Sequence, residues 1–509
     1  MIPSATLDPT LRPRTLVPVR LSIPRAALVS GVMLLICAVI LRRGQFGNPI
    51  AGLDEQLYLL AGQRLWHGEL PYVAIWDRKP FGLFLLFAAI QAIPGNPFLI
   101  AQLVATAFSA ATAWLIAVFA QRWTGWVAAT LAGLFYLAGE IELWGDTTQS
   151  PVFYNLAIAA AALLTWRASQ PGNRDGLDAR IAVAMLLAGL AVQVKTNAVF
   201  EGAFFAIWYV GRHWRAERDL RRTVRHTVML AGIGALPTLA VMGFYAAIGA
   251  FPAWWQANVL SILAKGRPQD AAVAGMFAET WLMILPIIAL ALFGFWVRTR
   301  ERAKVDADSA FMIGWVATAT IDFIAIGGYY PHYALPLLLA ASLPIAHAFA
   351  FGRIGKALCA FALLWPLAHT QIFMPRSGAM DRAIAAQVRA AIPADVRTRC
   401  LFVFEGPVAY YQLTDACRVT RFPFSAHISS RREAAALGEP PRVALDAAMA
   451  RHPGTVITVT APARPDRNAE MEARLLGILH QSYHPIAHLP HRFFTVDETL
   501  VIWRRNDLR

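Results

Sequence analysis

Long apolar runs separated by short polar segments make up the first three quarters of the chain. A helix needs roughly 20 apolar residues to cross the hydrocarbon core of a bilayer, with about 17 as the lower limit. By that measure the pattern predicts eleven membrane-spanning helices, several of them short. They lie near residues 26–42, 98–120, 125–142, 151–167, 180–195, 197–211, 227–248, 274–297, 309–328, 333–351 and 357–373.

One further apolar run, at residues 81–93, is too short to cross the bilayer. The turn-forming sequence Pro-Gly-Asn-Pro follows it at residues 94–97. We therefore predict a helix that lies along the membrane surface or dips into it. This helix would belong to a first outer loop at residues 43–97, within a membrane domain at residues 26–375.

The pattern changes after residue 375, where charged residues become frequent and the apolar runs become short. Strand-like runs occur at residues 400–405, 455–460 and 493–503, the last with a predicted turn at Asp497-Glu498. Helical patterns occur at residues 382–391 and 470–480. Residues 376–509 therefore predict a small α/β domain outside the membrane.

Composition agrees with a mainly α polytopic membrane protein. The 509 residues are 57% hydrophobic and 15% charged, with a mean hydropathy of +0.47. The net charge of +14 comes largely from arginines in alternate loops, such as residues 212–225 and 298–304. Cytoplasmic loops carry this excess, so we expect the tail at residues 1–25 inside and the C-terminal domain outside. A nucleic-acid partner is not expected, because no soluble basic face with aromatic residues is apparent.

Two features support this orientation. Counting residues 81–93 as a span would invert the topology and place the basic loops outside. The first apolar run lacks a small-residue cleavage site, so we expect a retained helix rather than a signal peptide.

Cys400 and Cys417 then lie in an oxidising compartment, where we predict a disulfide. Two buried thiols are the alternative.

The polar residues that could carry chemistry fall on the predicted outer face. They are Asp54, Glu55, Tyr58, Asp77, Arg78, Lys79, Glu140, Glu142, Asp146, Gln149, Lys195, Tyr329, Tyr330, His332 and Tyr333. Asp54 and Glu55 begin an amphipathic stretch, and a helix N-terminus favours an ionised carboxylate that can act as a base or ligand. A solvated loop pair is the alternative.

The other candidates also have structural alternatives. Lys79 and Lys195 could bind a lipid phosphate, or they could extend to the membrane interface as long charged side chains do. His332 could be a hydrogen-bonded interfacial histidine, and Asp146 could cap a helix. Asp322 lies within an apolar run, and the sequence suggests no role for it.

Several of these pieces resemble the GT-C superfamily of membrane glycosyltransferases, especially protein O-mannosyltransferases and bacterial aminoarabinose transferases of lipid A. The first-loop match is the most specific, and the later matches are weak individually. The matching segments are Asp54-Glu55-Gln56-Leu57-Tyr58, Gly68-Glu69-Leu70-Pro71-Tyr72, Trp76-Asp77-Arg78-Lys79-Pro80, Lys195, Pro331-His332-Tyr333, residues 402–411 and Thr420-Arg421-Phe422.

The resemblance implies an inverting transfer of one sugar from a polyprenyl-phosphate donor to an acceptor hydroxyl, on the outer face of a bacterial inner membrane. It makes Asp54 the catalytic base, with Glu55 positioning the acceptor or Asp54. It makes Lys79 and Lys195 phosphate ligands. Many relatives have a second acidic residue where this chain has Gln149, with Asp146 a turn earlier, so a divalent metal ion is left open.

The acceptor could be a glycan, a lipid or a protein. Two rival functions stay open. A transporter or flippase of lipid-linked glycans would favour charges near the bilayer midplane and internal repeats, whereas here the charges cluster in outer loops and no repeat is apparent. A catalytically degenerate member of the superfamily could instead assist assembly of the cell envelope.

Overall fold

The structure is a computed structural model. It describes residues 24–170, 178–264, 271–302, 304–369, 376–434, 436–460, 466–493 and 496–508. Most of the predicted N-terminal tail lies outside these ranges.

The described part of the chain is mainly helical. The helices of the membrane domain are α1 Arg25–Arg42, α2 Leu53–Leu65, α3 Phe81–Gln91, α4 Pro97–Glu142, α5 Ser150–Ala168, α6 Ala179–Val192, α7 Val199–Glu217, α8 Leu220–Ala247, α9 Phe251–Trp255, α10 Ser261–Ala264, α11 Ala271–Arg302, α12 Ala307–Ile326, α13 Leu335–Ala350 and α14 Gly352–His369. The C-terminal helices are α15 Arg376–Ala391, α16 Val396–Arg399, α17 Ala409–Leu413, α18 Ala426–Ser429, α19 Arg431–Ala434, α20 Pro441–Met449 and α21 Ala469–Ser482.

Every predicted span coincides with a helix over the described residues, and α4 contains two of them. Residues 370–373 of the last predicted span lie outside the described ranges. Gly125 interrupts α4 with φ 77° and ψ 166°, a backbone conformation that glycine adopts without a steric penalty. Within the described ranges, six segments are long and apolar enough to cross a membrane. They are Arg25–Gln45, Pro97–Glu142, Leu220–Ala247, Ala274–Arg302, Ala307–Ile326 and Pro331–Ala350. The chain is therefore a polytopic membrane protein, while eleven crossings and their orientation stay predictions.

Burial distinguishes the centre of the bundle from its periphery. In Pro331–Ala350, 89% of the most apolar 18-residue stretch is buried within the protein, against 6% of the corresponding stretch in Leu220–Ala247. The corresponding helix α13 packs against α4, α11 and α12. Gly294 permits the close approach of α11 to α13, because a Cβ there would overlap the carbonyl oxygen of Pro344.

The short apolar helix is confirmed as α3, which has 11 residues and packs against α2. At 1.5 Å per residue it is about 16 Å long, roughly half the hydrocarbon thickness of a bilayer. Its position relative to the membrane stays a prediction.

The C-terminal region contains one four-stranded sheet in the order β1-β2-β4-β3. Its strands are β1 Leu401–Val403, β2 Thr455–Thr460, β3 Tyr483–Phe493 and β4 Val496–Arg505. β1 and β2 are parallel, whereas β4 is antiparallel to both of its neighbours. The predicted turn at Asp497-Glu498 is wrong: these residues pair with Arg492 and His491 in the β3–β4 hairpin. The predicted disulfide between Cys400 and Cys417 is confirmed.

The C-terminal region docks directly on the first loop of the membrane domain. The Gln56 side-chain oxygen accepts a hydrogen bond from the Ala409 backbone at 3.0 Å, and Arg64 donates to the Ala416 carbonyl at 2.9 Å. The backbone N–H of Trp76 donates to the carbonyl of Arg421 at 2.7 Å. These contacts fix α2 and the segment before α3 against the C-terminal region.

Candidate active site

Helix α2 presents two neighbouring carboxylates in different directions. Asp54 and Glu55 both lie in its first turn, after the extended residue Gly52. Successive helical residues are separated by about 100°, so their side chains cannot face the same space. The Asp54 side chain is 23% exposed, whereas Glu55 is 1% exposed. Only Asp54 therefore faces a space that a substrate could enter.

Glu55 is held by protein groups on both oxygens. Its Oε1 accepts from the Gln102 amide at 2.7 Å. Its Oε2 accepts from the Thr148 backbone N–H at 3.2 Å and from the Thr148 hydroxyl at 3.0 Å. Burial raises the pKa of Glu55 to about 7 despite these hydrogen bonds. Glu55 thus ties α2 to α4 and to the segment before α5.

A tight turn brings Lys79 to Asp54. The Asp77 carboxylate accepts hydrogen bonds from the backbone N–H groups of Arg78 and Lys79, and Pro80 then precedes α3. The Lys79 ammonium lies 3.7 Å from the Asp54 carboxylate. It also lies 5.5 Å from the centre of the Tyr58 ring, within the range of a cation–π interaction.

The electrostatic environment of Asp54 includes residues from distant parts of the chain. Burial by itself disfavours its charged form. The Lys79 ammonium and smaller contributions from other neighbours together outweigh burial, so the pKa of Asp54 is held below its ordinary value. His332 and Lys195 act on Asp54 in the same direction. The four residues predicted to converge are therefore brought into one electrostatic cluster.

Aromatic residues before α13 form the other side of this cluster. His332 and Tyr333 lie in the short turn Pro331–Ala334. The Lys195 ammonium sits 3.8 Å from the centre of the Tyr333 ring. His332 stacks on Tyr330 at 5.8 Å, and its Nδ1 is buried without a hydrogen-bond partner in the described ranges. A stacked aromatic wall beside two ammonium groups suits a sugar phosphate.

Arg78 points to the C-terminal region. It forms an ion pair with Glu433 of α19 and lies 5.8 Å from the centre of the Trp76 ring. Tyr330 interacts electrostatically with Glu433 and Asp54. The C-terminal region therefore contributes to the rim of the site, a role for Glu433 that sequence reasoning missed.

Asp146 and Gln149 make no contact with the cluster around Asp54 among the contacts of the described residues. The Asp146 carboxylate accepts a hydrogen bond from Gln45 at 2.9 Å, and burial raises the pKa of Asp146. Gln149 precedes α5, and its side-chain oxygen is buried without a hydrogen-bond partner among the described residues. Nothing in these contacts links either side chain to Asp54.

Sequence reasoning also missed a buried ion pair next to Asp146. Arg42, at the end of α1, lies 3.3 Å from Glu140 of α4, and both side chains are buried. Arg42 also donates to the carbonyl of Thr147 at 2.7 Å. This pair fixes the loop that carries Thr148 and hence the contact with Glu55. The signal available in the sequence was Arg42, a charged residue at the end of the first apolar run.

The described residues offer little support for a bound metal ion. No group of three or more histidine, cysteine, aspartate or glutamate residues within those ranges is placed to hold one. The Lys79 ammonium, rather than a second carboxylate, lies beside the Asp54 carboxylate. We therefore assign no chemical step to a metal.

No family model and no curated protein matches the sequence. Solved structures do share its fold. ArnT from Cupriavidus metallidurans bound to undecaprenyl phosphate matches with a TM-score of 0.59 and 14% identity, over 94% of this chain and 98% of that chain. The Archaeoglobus fulgidus oligosaccharyltransferase in its apo form matches with a TM-score of 0.51 and 13% identity, over 85% of this chain and 69% of that one.

The archaeal enzyme AglB in complex with an inhibitory peptide and a dolichol-phosphate gives a TM-score of 0.51 at 12% identity, over 93% of this chain and 74% of that one. ArnT, an aminoarabinose transferase, and AglB are both GT-C proteins. The expected resemblance to the GT-C superfamily is therefore confirmed at the level of the fold.

Proposed function

We propose that this protein is an inverting glycosyltransferase that moves one sugar from a polyprenyl-phosphate donor to an acceptor hydroxyl. One observation carries the proposal: a half-buried carboxylate, Asp54, shares a single cluster with Lys79, Lys195 and His332. These side chains come from four separate parts of the chain. The cluster occurs in a fold shared with structures bound to undecaprenyl phosphate and dolichol-phosphate.

In the proposed reaction, the acceptor oxygen attacks the anomeric carbon as the bond between that carbon and the phosphate oxygen breaks. Asp54 takes the acceptor proton. The electron pair of the broken bond leaves with the polyprenyl phosphate, which gains one negative charge. Lys79 and Lys195 stabilise this developing charge. Glu55 acts as a positioning residue, because its oxygens already bind Gln102 and Thr148.

The contact between Lys79 and Asp54 suggests how the base is activated. Without donor, Lys79 keeps Asp54 ionised but weakly basic, because it lowers the Asp54 pKa. A donor phosphate would compete with Asp54 for the Lys79 ammonium. Asp54 would then regain basicity only when the donor is in place, which would couple proton removal to donor binding.

The location and partners follow from the same proposal. We place the reaction on the outer face of a bacterial inner membrane, with the α/β domain in the periplasm. The donor tail would lie in the lipid bilayer, near Lys195. The acceptor, whether glycan, lipid or protein, would enter from the aqueous side, between Asp54 and the rim formed by Arg78 and Glu433.

The test uses purified protein in nanodiscs, supplied with a polyprenyl-phosphate sugar identified by mass spectrometry of lipids that accumulate when the gene is deleted. Asp54→Asn is nearly isosteric and should lower kcat roughly 10²–10⁴-fold, the usual contribution of a general base. Glu69→Gln is a matched control, because Glu69 pairs with Arg64 and Arg418 instead. Wild-type turnover by Asp54→Asn would refute the assignment.

The same preparation distinguishes the rival functions. A flippase would move the labelled lipid between leaflets without breaking the bond between sugar and phosphate. A degenerate protein would bind the lipid and neither move nor cleave it. Release of free polyprenyl phosphate with transfer of the sugar is expected only of the glycosyltransferase.

A further inference from the structure

Asp322 is a buried carboxylate that the proposed reaction does not use. It lies on α12, and its side chain is completely buried. A lone charge inside an apolar bundle is costly unless it is paired and hydrogen-bonded. The surroundings of Asp322 therefore indicate what it is for.

Its contacts lead to the segment between α6 and α7. Asp322 Oδ2 accepts a hydrogen bond from the Asn197 amide at 2.6 Å. The same Asn197 nitrogen lies 3.2 Å from the Tyr154 hydroxyl of α5. Asn197 belongs to the turn Thr196–Ala198, which directly follows Lys195. Asn197 thus connects α5, through Tyr154, and α12, through Asp322, to the turn that follows Lys195.

Asp322 also interacts with Lys195 electrostatically. The ammonium of Lys195 lies against the Tyr333 ring, and the whole side chain is nearly buried. Burial disfavours the charged form of a lysine, and a nearby opposite charge favours it. Lys195 has an extended backbone, with φ −154° and ψ 128°, at the end of α6. The helix α6 alone therefore does not fix its direction.

We propose that Asp322 is a positioning residue that holds Lys195, through its charge and through Asn197, in the orientation that receives the donor phosphate. This inference rests on the proposed role of Lys195 in phosphate binding. It assigns no contact between Asp322 and the donor. Its consequence is that replacing Asp322 weakens donor binding only while Lys195 is present.

A neighbouring carboxylate provides a matched control. Glu201 of α7 is also completely buried and interacts electrostatically with Asp322. The groups that act on Glu201 do not include Lys195. Glu201→Gln therefore removes a similar buried carboxyl group from the same region while leaving the connection from Asp322 to Lys195 in place.

The experiment measures binding of undecaprenyl phosphate to the full chain in nanodiscs, in a double-mutant cycle. Asp322→Asn should raise Kd about tenfold, which is about 1.4 kcal/mol. Glu201→Gln should change Kd less than about twofold, because Lys195 is not among the groups that act on Glu201. Lys195→Ala should raise Kd further than Asp322→Asn. Adding Asp322→Asn to Lys195→Ala should have no additional effect.

The outcomes separate this inference from the proposed function. If Lys195→Ala leaves Kd unchanged, Lys195 does not bind phosphate, and both proposals fall at that residue. If Lys195→Ala weakens binding but Asp322→Asn does not, or strengthens it, Asp322 does not position Lys195 and only this inference is overturned. Additive effects of the two substitutions would also overturn it.

A second variant keeps the test decisive if Asp322→Asn does not fold, as judged by thermal unfolding. Asn197→Ala keeps both charges but removes the hydrogen bond to Asp322. It should raise Kd roughly fivefold, in keeping with a hydrogen bond worth about 1 kcal/mol, and this loss should vanish in the Lys195→Ala background. Wild-type affinity in Asn197→Ala would contradict the positioning role.

Discussion

The ion pair between Lys79 and Asp54 gives the most direct test of the proposed chemistry. Replacing Lys79 by glutamine keeps a polar side chain of similar reach but removes its charge. Burial then acts on Asp54 with less opposition, so the pKa of Asp54 must rise. A general base works only when deprotonated. As the pH is lowered, the loss of activity should therefore begin at a higher pH in Lys79→Gln than in the wild type.

The separation of 3.7 Å sets the size of this change. At that distance the attraction is about 1 kcal/mol in water and about 4 kcal/mol at the effective dielectric constant of a protein surface. One pH unit corresponds to about 1.4 kcal/mol, so the acid limb should move upward by about one to three pH units. His332 and Lys195 remain, and they limit the rise.

The assay is the pH dependence of kcat/KM, which reports the free enzyme. Measurements should be made in the Glu55→Gln background, because Glu55 has a pKa of about 7 and would titrate in the same window. Arg78→Gln is the matched control: Arg78 is the adjacent cation, but it pairs with Glu433. The reasoning would be refuted if Asp54→Asn abolishes activity but the acid limb of Lys79→Gln stays at the same pH as that of the wild type.

Two further predictions concern stability. The pKa of Glu55, about 7, lies above its ordinary 4.5, so the folded state binds more protons in that window and stability should fall as pH rises through it. Glu55→Gln should therefore flatten the pH dependence of the thermal midpoint between pH 4.5 and 8, and an unchanged slope would contradict the assignment. Cys400 and Cys417 are 17 residues apart, so reduction or Cys400→Ser should destabilise the outer domain by about 3 kcal/mol, measured by denaturant unfolding with and without reductant. Equal stability under both conditions would count against a structural disulfide.

The outline of the membrane domain could be predicted because the bilayer imposes a length on apolar runs. The positions of the helices followed, including the short helix α3, although α8 begins seven residues before the predicted span at 227–248. The number of crossings did not follow, because α5, α6 and α7 are short or contain polar residues. Apolarity and length alone do not determine whether such helices cross the membrane or end within it.

The hairpin of the outer domain was misplaced for an identifiable reason. β3 contains Pro485 and Pro490, and proline normally argues against a strand. In the observed order β1-β2-β4-β3, β3 lies at the edge of the sheet, where proline is tolerated. Edge position is a property of the assembled sheet. The local pattern therefore placed the start of the hairpin at residue 493, ten residues after β3 begins.

The site was predictable as a set of residues on one face, but not as a set of pairs. Loop charge grouped Asp54, Lys79, Lys195 and His332 because the arginine-rich loops predict one topology. Partners such as Glu433 for Arg78 are separated by 355 residues, and no spacing rule connects them. Asp322 received no role for the same reason, since its partner Asn197 lies on another helix.

Adjacent carboxylates illustrate the limit most clearly. In sequence, Asp54 and Glu55 are equivalent candidates for a base, and the dipole of α2 favours both. The helix turns one toward Lys79 and the other toward Gln102 and Thr148. Both oxygens of Glu55 accept hydrogen bonds from protein groups, so proton uptake there would disturb the contacts that join α2 to its neighbours. The division of labour between chemistry and structure is therefore decided by the rotation of one helix, which depends on everything that packs against it.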